Sequence, residues 1–151
     1  MTEARYFPDG MPLPMPESAT ASFWEGCAAR ELRIQKCASC GLHRHPPAPI
    51  CSRCHSLEHA WDVSRGTGRV FSYVVVHHSV HPATDGLVPY NVAVIELDDC
   101  GGVVVTSNIV DCPNGDLSVG MAVHLIWEQV DASLSLYRFT PTAATAHDSG
   151  L

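Results

Sequence analysis

The chain has 151 residues, enough for one domain or for two small modules that share a core, and its apolar content of 46% excludes an intrinsically disordered protein. Its 16 acidic and 9 basic residues give a formal net charge of −7, which argues against a general binder of nucleic-acid phosphates. The chain has no apolar run of about 18 residues and no basic N-terminus followed by an apolar core, so we expect neither a membrane span nor a signal peptide. The expected location is therefore the cytoplasm.

Residues 1–17 form a proline-rich segment, which we call the arm. Four of its residues, spread over its second half, are Pro8, Pro12, Pro14 and Pro16. Because proline excludes a regular helix, we predict an extended arm. The arm is a loosely attached terminus, or it lies along a partner or along its own domain. The first of these is the simplest interpretation.

A short amphipathic helix is predicted between residues 18 and 30. Apolar residues recur there at the spacing of one helical face, namely Phe23, Trp24, Cys27 and Ala28. Two caps are conceivable, a capping box formed by Ser22 and Glu25 or a simple cap at Ser18. Apolar and polar residues then alternate over residues 32–35, which predicts a short strand.

Four cysteines form two Cys-x-x-Cys pairs, Cys37 with Cys40 and Cys51 with Cys54. Two such pairs present four thiolates to one ion, and four protein ligands make a closed, structural site. We therefore predict a zinc ion held by these cysteines. An iron ion in a rubredoxin-like site would have the same ligands and stays open as an alternative. A redox dithiol is disfavoured, because two pairs at matched spacing are improbable by chance. The nearby His43, His45, His55 and His59 are interpreted as surface or packing residues.

The remainder of the chain is strand-like from Trp61 almost to its end. Five runs are rich in β-branched and aromatic residues or leucine, and they cover residues 68–80, 91–97, 103–110, 122–130 and 134–139. Turn signals separate the runs and no long helix intervenes, so we predict an antiparallel sheet or a small barrel. An OB-type barrel fits five strands, and an SH3-like barrel stays open as an alternative. The predicted organisation is an arm over residues 1–17, a helix with a metal ribbon over 18–60, a barrel over 61–140 and a tail over 141–151.

These residues carry a resemblance to a known family. The upstream motifs are Phe23-Trp24, Leu32-x-Ile34-Gln35-x-Cys37-x-x-Cys40-Gly41, Pro46-Pro47, Ile50-Cys51-x-x-Cys54 and Trp61. The downstream motifs are Ser64-x-Gly66-x-Gly68-x-Val70-x-Ser72-Tyr73, Pro89-Tyr90 and Val119-Gly120-Met121-x-Val123. Together they resemble, over roughly residues 18–140, the acyl-CoA-associated OB-fold family with a rubredoxin-like zinc ribbon, also called domain of unknown function 35.

The resemblance implies a mainly β fold with an N-terminal helix, a rubredoxin-like zinc ribbon and a C-terminal five-stranded OB-fold barrel. Members of that family usually accompany thiolase-superfamily proteins or hydratases as small subunits. The resemblance therefore implies a non-catalytic accessory or scaffold subunit, joined as a heteromer to a thiolase-like partner with acyl-CoA at or near the interface. Aldol cleavage of a steroid side chain is the reaction we favour for such a complex, because the arginine-rich composition suits actinobacteria.

Any coenzyme A would need positive charge near its phosphates. Four arginines lie in or just after the ribbon and are candidates by charge alone, namely Arg44, Arg53, Arg65 and Arg69. No nucleophile elbow, phosphate loop or metalloprotease motif is present in the sequence, so we predict no catalytic residue. Two alternatives remain, an autonomous acyl-CoA-binding protein and a nucleic-acid-binding ribbon, and the charge of −7 disfavours the second.

Overall fold

The structure, a computed structural model, describes residues 5–143, and its regular elements there are one α-helix, two antiparallel sheets and two short 3₁₀ turns. The elements in chain order are α1 (Ala21–Ala28), β1 (Leu32–Cys37), β2 (His43–Arg44), β3 (His59–Ser64), β4 (Thr67–Val76), a 3₁₀ turn (Pro82–Thr84), β5 (Tyr90–Leu97), β6 (Val104–Ser107), a second 3₁₀ turn (Asn114–Asp116), β7 (Ala122–Gln129) and β8 (Ser135–Pro141). The predicted mainly β architecture is confirmed. Within the described residues, no helix has the length and apolar character needed to cross a membrane.

Helix α1 begins between the two predicted caps, at Ala21. Its N-cap is Thr20, whose side chain makes no capping hydrogen bond, so the caps predicted at Ser18 and Ser22 are both wrong. The Thr20 hydroxyl instead accepts from the backbone N–H of Glu17 and donates to the Glu17 carbonyl, at 3.0 and 3.3 Å. These bonds close the turn that precedes the helix, so the helix starts at the residue that follows this turn.

The predicted apolar face of α1 is largely the buried face. Phe23 and Cys27 are buried, and Trp24 packs against the core beside them. Ala28 is exposed, in contrast to the prediction, because the helix ends there and the chain turns at Arg30, which has a φ of 58°. A helix of 8 residues, about two turns, is therefore enough to cover the core at this point.

The first sheet has three strands in the order β2-β1-β3. Strand β1 lies in the centre, and its register against β3 runs from Leu32 opposite Ser64 to Cys37 opposite His59. Leu32 and Ile34 are both buried, as their alternation with polar residues predicted. This sheet ends at Cys37 and thereby sets the position of the first cysteine pair.

The second sheet contains all five strands predicted in the C-terminal half, in the order β6-β5-β4-β7-β8. Strand β4 bears an irregularity between Val70 and Ser72, which increases the local bend of the sheet. The sheet curls until its two edge strands approach each other, at a parallel bridge between Ile109 and Phe139. The result is a half-barrel that is only partly closed along the line where β6 and β8 meet, which we call the seam.

The two sheets and the helix share one core. Phe23 of α1 lies at its centre, with its ring centroid 5.0 Å from His45 of the ribbon and 5.7 Å from Tyr137 of β8. Ile34 from the ribbon and Phe139 from the half-barrel are also fully buried in the same cluster. The ribbon is therefore packed against the half-barrel through α1.

The described part of the arm lies along its own domain. The backbone N–H groups of Tyr6 and Phe7 both donate to Oε1 of Glu128 in β7, and the Tyr6 hydroxyl donates to Asp111 at 2.7 Å. Burial and the neighbouring Asp111 carboxylate raise the pKa of Tyr6 to about 12, so the hydroxyl stays a donor. From residue 144 onward, the predicted tail lies outside the described residues.

Candidate metal centre

The first cysteine pair lies on a tight turn that follows β1. The N–H of Cys37 donates to the carbonyl of Leu42, and the N–H of Gly41 donates to the carbonyl of Cys37, both at 2.9 Å. Gly41 has a φ of 75°, a value that glycine adopts without steric cost. The turn brings the N–H of Cys40 to 3.5 Å from the Cys37 sulfur.

The second cysteine pair repeats the turn of the first, residue for residue. The N–H of Cys51 donates to the carbonyl of Ser56 at 3.0 Å, and the N–H of His55 donates to the carbonyl of Cys51 at 2.9 Å. His55 takes the place of Gly41 and has a φ of 61°, so it accepts some strain that glycine would avoid. Two equivalent turns thus face each other across the site.

The four sulfur atoms converge. The Sγ atoms of Cys37, Cys40, Cys51 and Cys54 all lie within 4.8 Å of one another. The Cys37–Cys54 and Cys40–Cys51 separations are both 3.6 Å. Four thiolates at about 2.3 Å from a tetrahedral zinc ion would be about 3.8 Å apart, so the cluster fits one such ion. The geometry suits zinc and iron alike.

The electrostatics of the cluster favour a cation. Backbone N–H groups stabilise the thiolates of Cys37 and Cys51: the N–H of Cys40 lowers the pKa of Cys37, and the N–H of Cys54 lowers the pKa of Cys51 to about 6. The N–H of Ser56 lowers the pKa of Cys54, but desolvation and the other three thiols outweigh it and raise that pKa to about 11. Cys54 thus keeps its proton because a further thiolate would be repelled by those already present. A bound divalent cation would offset that repulsion and favour the thiolate form of all four cysteines.

The three cysteines outside the two pairs have raised pKa values, so their thiols stay protonated at neutral pH. Burial raises the pKa of Cys27 to about 12, and burial together with the adjacent Asp99 carboxylate raises the pKa of Cys100 to about 11. Burial also raises the pKa of Cys112. Because the thiolate is the nucleophilic form, these cysteines are poorly suited to covalent catalysis at neutral pH.

The histidines that flank the cysteine pairs contact protein groups. The His43 ring nitrogen Nε2 lies 2.8 Å from the Asp62 carboxylate, and the ring of His45 packs on Phe23. His59 lies edge-on to Trp61, with ring centroids 6.1 Å apart. The first contact joins β2 to β3, and the second joins the ribbon to α1.

Arg44, one of the four candidate arginines for coenzyme A, is occupied by the ribbon itself. Its guanidinium donates to the side-chain oxygen of Gln35 and, at 2.9 Å, to the carbonyl of Ala48. Gln35 is 2% exposed and also accepts from the N–H of Ala48. Arg44 therefore orders the loop between the two cysteine pairs.

The other three candidate arginines are exposed and lie on separate elements. Arg53 lies within the second cysteine pair, Arg65 precedes β4 and Arg69 lies in β4. The backbone N–H of Arg65 donates to Asp99 at 2.7 Å, and the Arg69 guanidinium donates to the carbonyl of Gly120 at 3.1 Å. None of the four arginines lines the two cavities of the half-barrel, which have volumes of about 620 and 220 Å³.

Sequence reasoning missed a buried ion pair in the half-barrel. Arg138 of β8 donates through Nε to Oε2 of Glu128 in β7 at 2.9 Å, and the two side chains are 11% and 3% exposed. The Arg138 Nη1 donates to Asn108 at 2.6 Å, and Asn108 donates in turn to the carbonyl of Asn91. The available signal was one Glu or Arg inside each of two largely apolar runs, residues 122–130 and 134–139.

Two family models match adjacent parts of the chain. Residues 24–60 match the model described as the ChsH2 rubredoxin-like zinc ribbon domain, and residues 61–128 match that of the ChsH2 C-terminal OB-fold domain. The second match decides between the two barrels that the sequence left open, in favour of the OB-fold.

Three curated relatives are similar over most of this chain. A probable enoyl-CoA hydratase alpha subunit from Thermomonospora curvata is 39% identical over 132 residues, or 86% of this chain and 40% of the relative. A 3-oxo-4,17-pregnadiene-20-carboxyl-CoA hydratase alpha subunit from Mycobacterium tuberculosis is 37% identical over 89% of this chain and 41% of the relative. The chain thus spans about two fifths of these two proteins. A DUF35 domain-containing scaffold protein from Methanothermobacter thermautotrophicus is 33% identical, over 74% of this chain and 83% of the relative.

Two solved structures share the fold. The Ltp2-ChsH2(DUF35) aldolase is matched with a TM-score of 0.77 and 38% identity, over 85% of this chain and 98% of that chain. A DUF35 protein of unknown function from Sulfolobus solfataricus has a TM-score of 0.58 at 16% identity, over 83% of this chain and 86% of that chain, and shows the fold alone. With the ribbon, the half-barrel and these likenesses in agreement, the chain belongs to the DUF35 family of zinc-ribbon and OB-fold proteins.

Proposed function

We propose that this protein is a non-catalytic accessory subunit that supports the assembly of an acyl-CoA enzyme whose catalytic chain is a thiolase-superfamily protein. One observation carries the proposal, namely the similarity over 98% of the matched chain in the Ltp2-ChsH2(DUF35) aldolase structure. The relatives support it, since they are named as alpha subunits or as scaffold proteins. Retro-aldol cleavage of a steroid side-chain acyl-CoA, in the cytoplasm, is the activity we propose for the complex.

In this proposal the metal is structural. Cys37, Cys40, Cys51 and Cys54 hold one zinc ion, and four protein ligands leave no coordination position for a substrate. In zinc-finger peptides such binding contributes about 10–16 kcal/mol of apparent free energy, which is folding free energy for a module with little core of its own. The ion would therefore hold together the surface that the ribbon offers to a partner.

The chemistry of the described residues supports a non-catalytic role. The three cysteines outside the pairs have raised pKa values. The buried carboxylate of Glu128 is already paired with Arg138 and with the arm. The partner would therefore supply the nucleophile and the base for any carbon–carbon bond cleavage.

Three exposed arginines are our candidates for the phosphates of the coenzyme, namely Arg53, Arg65 and Arg69. Arg44 is a weaker candidate because Gln35 and Ala48 already hold its guanidinium. Alanine substitution at Arg53 or Arg69 should weaken acyl-CoA binding by the complex. Arg30, exposed at the end of α1, gives a control substitution that should leave it unchanged.

A tagged pull-down from the native host at moderate salt, read by mass spectrometry, tests the proposal. We expect a thiolase-fold chain to be recovered in a fixed ratio, and we expect acyl-CoA turnover by the complex and none by this chain alone. Recovery of the chain by itself together with turnover of acyl-CoA would contradict the proposal and favour an autonomous enzyme. Recovery with nucleic acid would show that the charge argument is wrong.

A further inference from the structure

A cleft of about 620 Å³ lies between the arm and the seam of the half-barrel. The arm supplies Phe7 and Met11 to one wall, and the loop between β4 and β5 supplies Leu87 to another. Ile109 and Leu136 line the side formed by the half-barrel. The volume is within the range of small-molecule sites, which is about 300–1,000 Å³, and most of the residues named here are apolar. The cleft suits the apolar body of a ligand.

One cation at the cleft has an unused hydrogen-bond donor. The Arg138 guanidinium donates from Nε to the Glu128 carboxylate and from Nη1 to the side-chain oxygen of Asn108. Its Nη2 donates to no group among residues 5–143. The side chain is 11% exposed, and Nη2 is not among the buried polar atoms that lack a partner, so an acceptor in the cleft can reach it in place of water. The guanidinium is balanced by the Glu128 carboxylate, so an uncharged carbonyl oxygen and a carboxylate oxygen are both suitable acceptors.

The cleft is built before any ligand arrives. Oε1 of Glu128 accepts from the N–H groups of Tyr6 and Phe7 and thereby holds the arm as a wall. Oε2 of the same carboxylate orients Arg138. One buried side chain thus positions both the apolar wall and the polar donor. A smaller cavity of about 220 Å³ shares Asn108, Leu136 and Arg138 with the cleft, so Arg138 lies where the two spaces meet.

We propose that this cleft is a binding site for a small apolar molecule that carries one acceptor oxygen, with the oxygen on Arg138 and the apolar body against Phe7, Leu87 and Ile109. The site belongs to this chain alone. A test of this site is therefore independent of the partner proposed above, and it can be made on the isolated chain.

The test uses the full-length, zinc-loaded chain and two ten-carbon probes, decanoate and 2-decanone. Titration followed by ¹H–¹⁵N nuclear magnetic resonance should show saturable one-to-one binding of at least one probe. The shifted signals should be the amides of Phe7, Leu87 and Ile109 and the Nε–H of Arg138. Tighter binding of decanoate would identify the natural oxygen as anionic, and equal or tighter binding of 2-decanone would identify it as a carbonyl.

Two matched variants locate the site without touching the buried ion pair. Leu87 lines the cleft and is 48% exposed, so the larger side chain of Leu87→Trp would occupy part of the cleft. We expect this variant to bind the probe at least tenfold more weakly than the wild type. Val80→Trp changes the same loop at a residue that is 84% exposed and does not line the cleft, and we expect affinity within twofold of the wild type. The proposal is overturned if neither probe saturates below its solubility limit, if Leu87→Trp binds as tightly as the wild type, or if the shifted signals lie on another face.

Discussion

Mild acid should destabilise this protein through His45, whose ring packs between the ribbon and α1. The ring centroid lies 5.0 Å from that of Phe23, and the ring nitrogen Nδ1 is buried without a hydrogen-bond partner. Burial lowers the pKa of His45 from 6.5 to about 4. At a pH between these two pKa values, His45 is protonated in the unfolded chain and neutral in the folded chain. The free energy of unfolding therefore falls as the pH is lowered from above 6.5 towards 4.

The size of the effect follows from the two pKa values. Proton linkage with 6.5 in the unfolded state and about 4 in the folded state predicts a loss of about 1.3 kcal/mol between about pH 7.5 and about pH 5.5. The full loss, reached below the folded-state value, is roughly 3 kcal/mol. For a chain of this size, the first figure corresponds to a fall in melting temperature of about 3–5 °C.

The measurement is urea unfolding at these two pH values with saturating zinc, for the wild type and for His45→Phe. Phenylalanine keeps a ring against Phe23 but binds no proton and leaves no unpaired nitrogen. The variant should therefore lose about 1.3 kcal/mol less than the wild type on acidification, while proton uptake linked to the metal is common to both. His78→Gln is the matched control, because that side chain is exposed in the loop after β4 and the substitution leaves the contact between His45 and Phe23 intact.

Equal losses of stability in the wild type and in His45→Phe, within about 0.3 kcal/mol, would refute the reasoning, since burial of the imidazole would then contribute nothing to the pH dependence.

Three further predictions concern the metal and the core. Cys54→Ser should lose its zinc to a competing chelator that the wild type resists, as measured by metal analysis, and retention of one ion would contradict the four-ligand site. Gly66→Ala should cost at least about 2 kcal/mol more in urea than Gly86→Ala, because both residues have positive φ but only the Cβ at Gly66 would lie 2.4 Å from Leu125. Equal losses of unfolding free energy in the two variants would show that β7 moves away from the added methyl group without cost. Phe23→Ala should cost about 3–5 kcal/mol of unfolding free energy, and a loss below about 1 kcal/mol would show that this ring does not join the ribbon to the half-barrel.

Strand existence followed from local composition, whereas strand ends did not. The first predicted run extended to residue 80, but β4 ends at Val76 because the chain leaves the sheet there for the loop that carries a 3₁₀ turn. Val80, the one β-branched residue of the run beyond that point, has no neighbouring strand to pair with. The β-propensity of a residue does not report whether a neighbouring strand is present, and hydrogen bonding to a neighbouring strand decides where a strand ends.

The convergence of the four cysteines was predictable because each pair is a local structure. Residues only a few positions apart form each turn, and the hydrogen bonds at Cys37 and at Cys51 are the same. The helix caps were mispredicted for the opposite reason. Several polar residues near Thr20 could each begin a helix, and the choice among them depended on the turn that precedes it.

The sequence by itself thus determined the fold class, the five strands, the convergence of the cysteines and the membership of a family, because each depends on spacing and composition within short stretches. Only the tertiary structure decided that Glu128 meets Arg138, that the arm closes one wall of a cleft, and that the ribbon itself holds Arg44. These contacts join residues from different elements. They depend on register, on the curl of the sheet and on the path of the arm, and such quantities arise only when the whole chain packs.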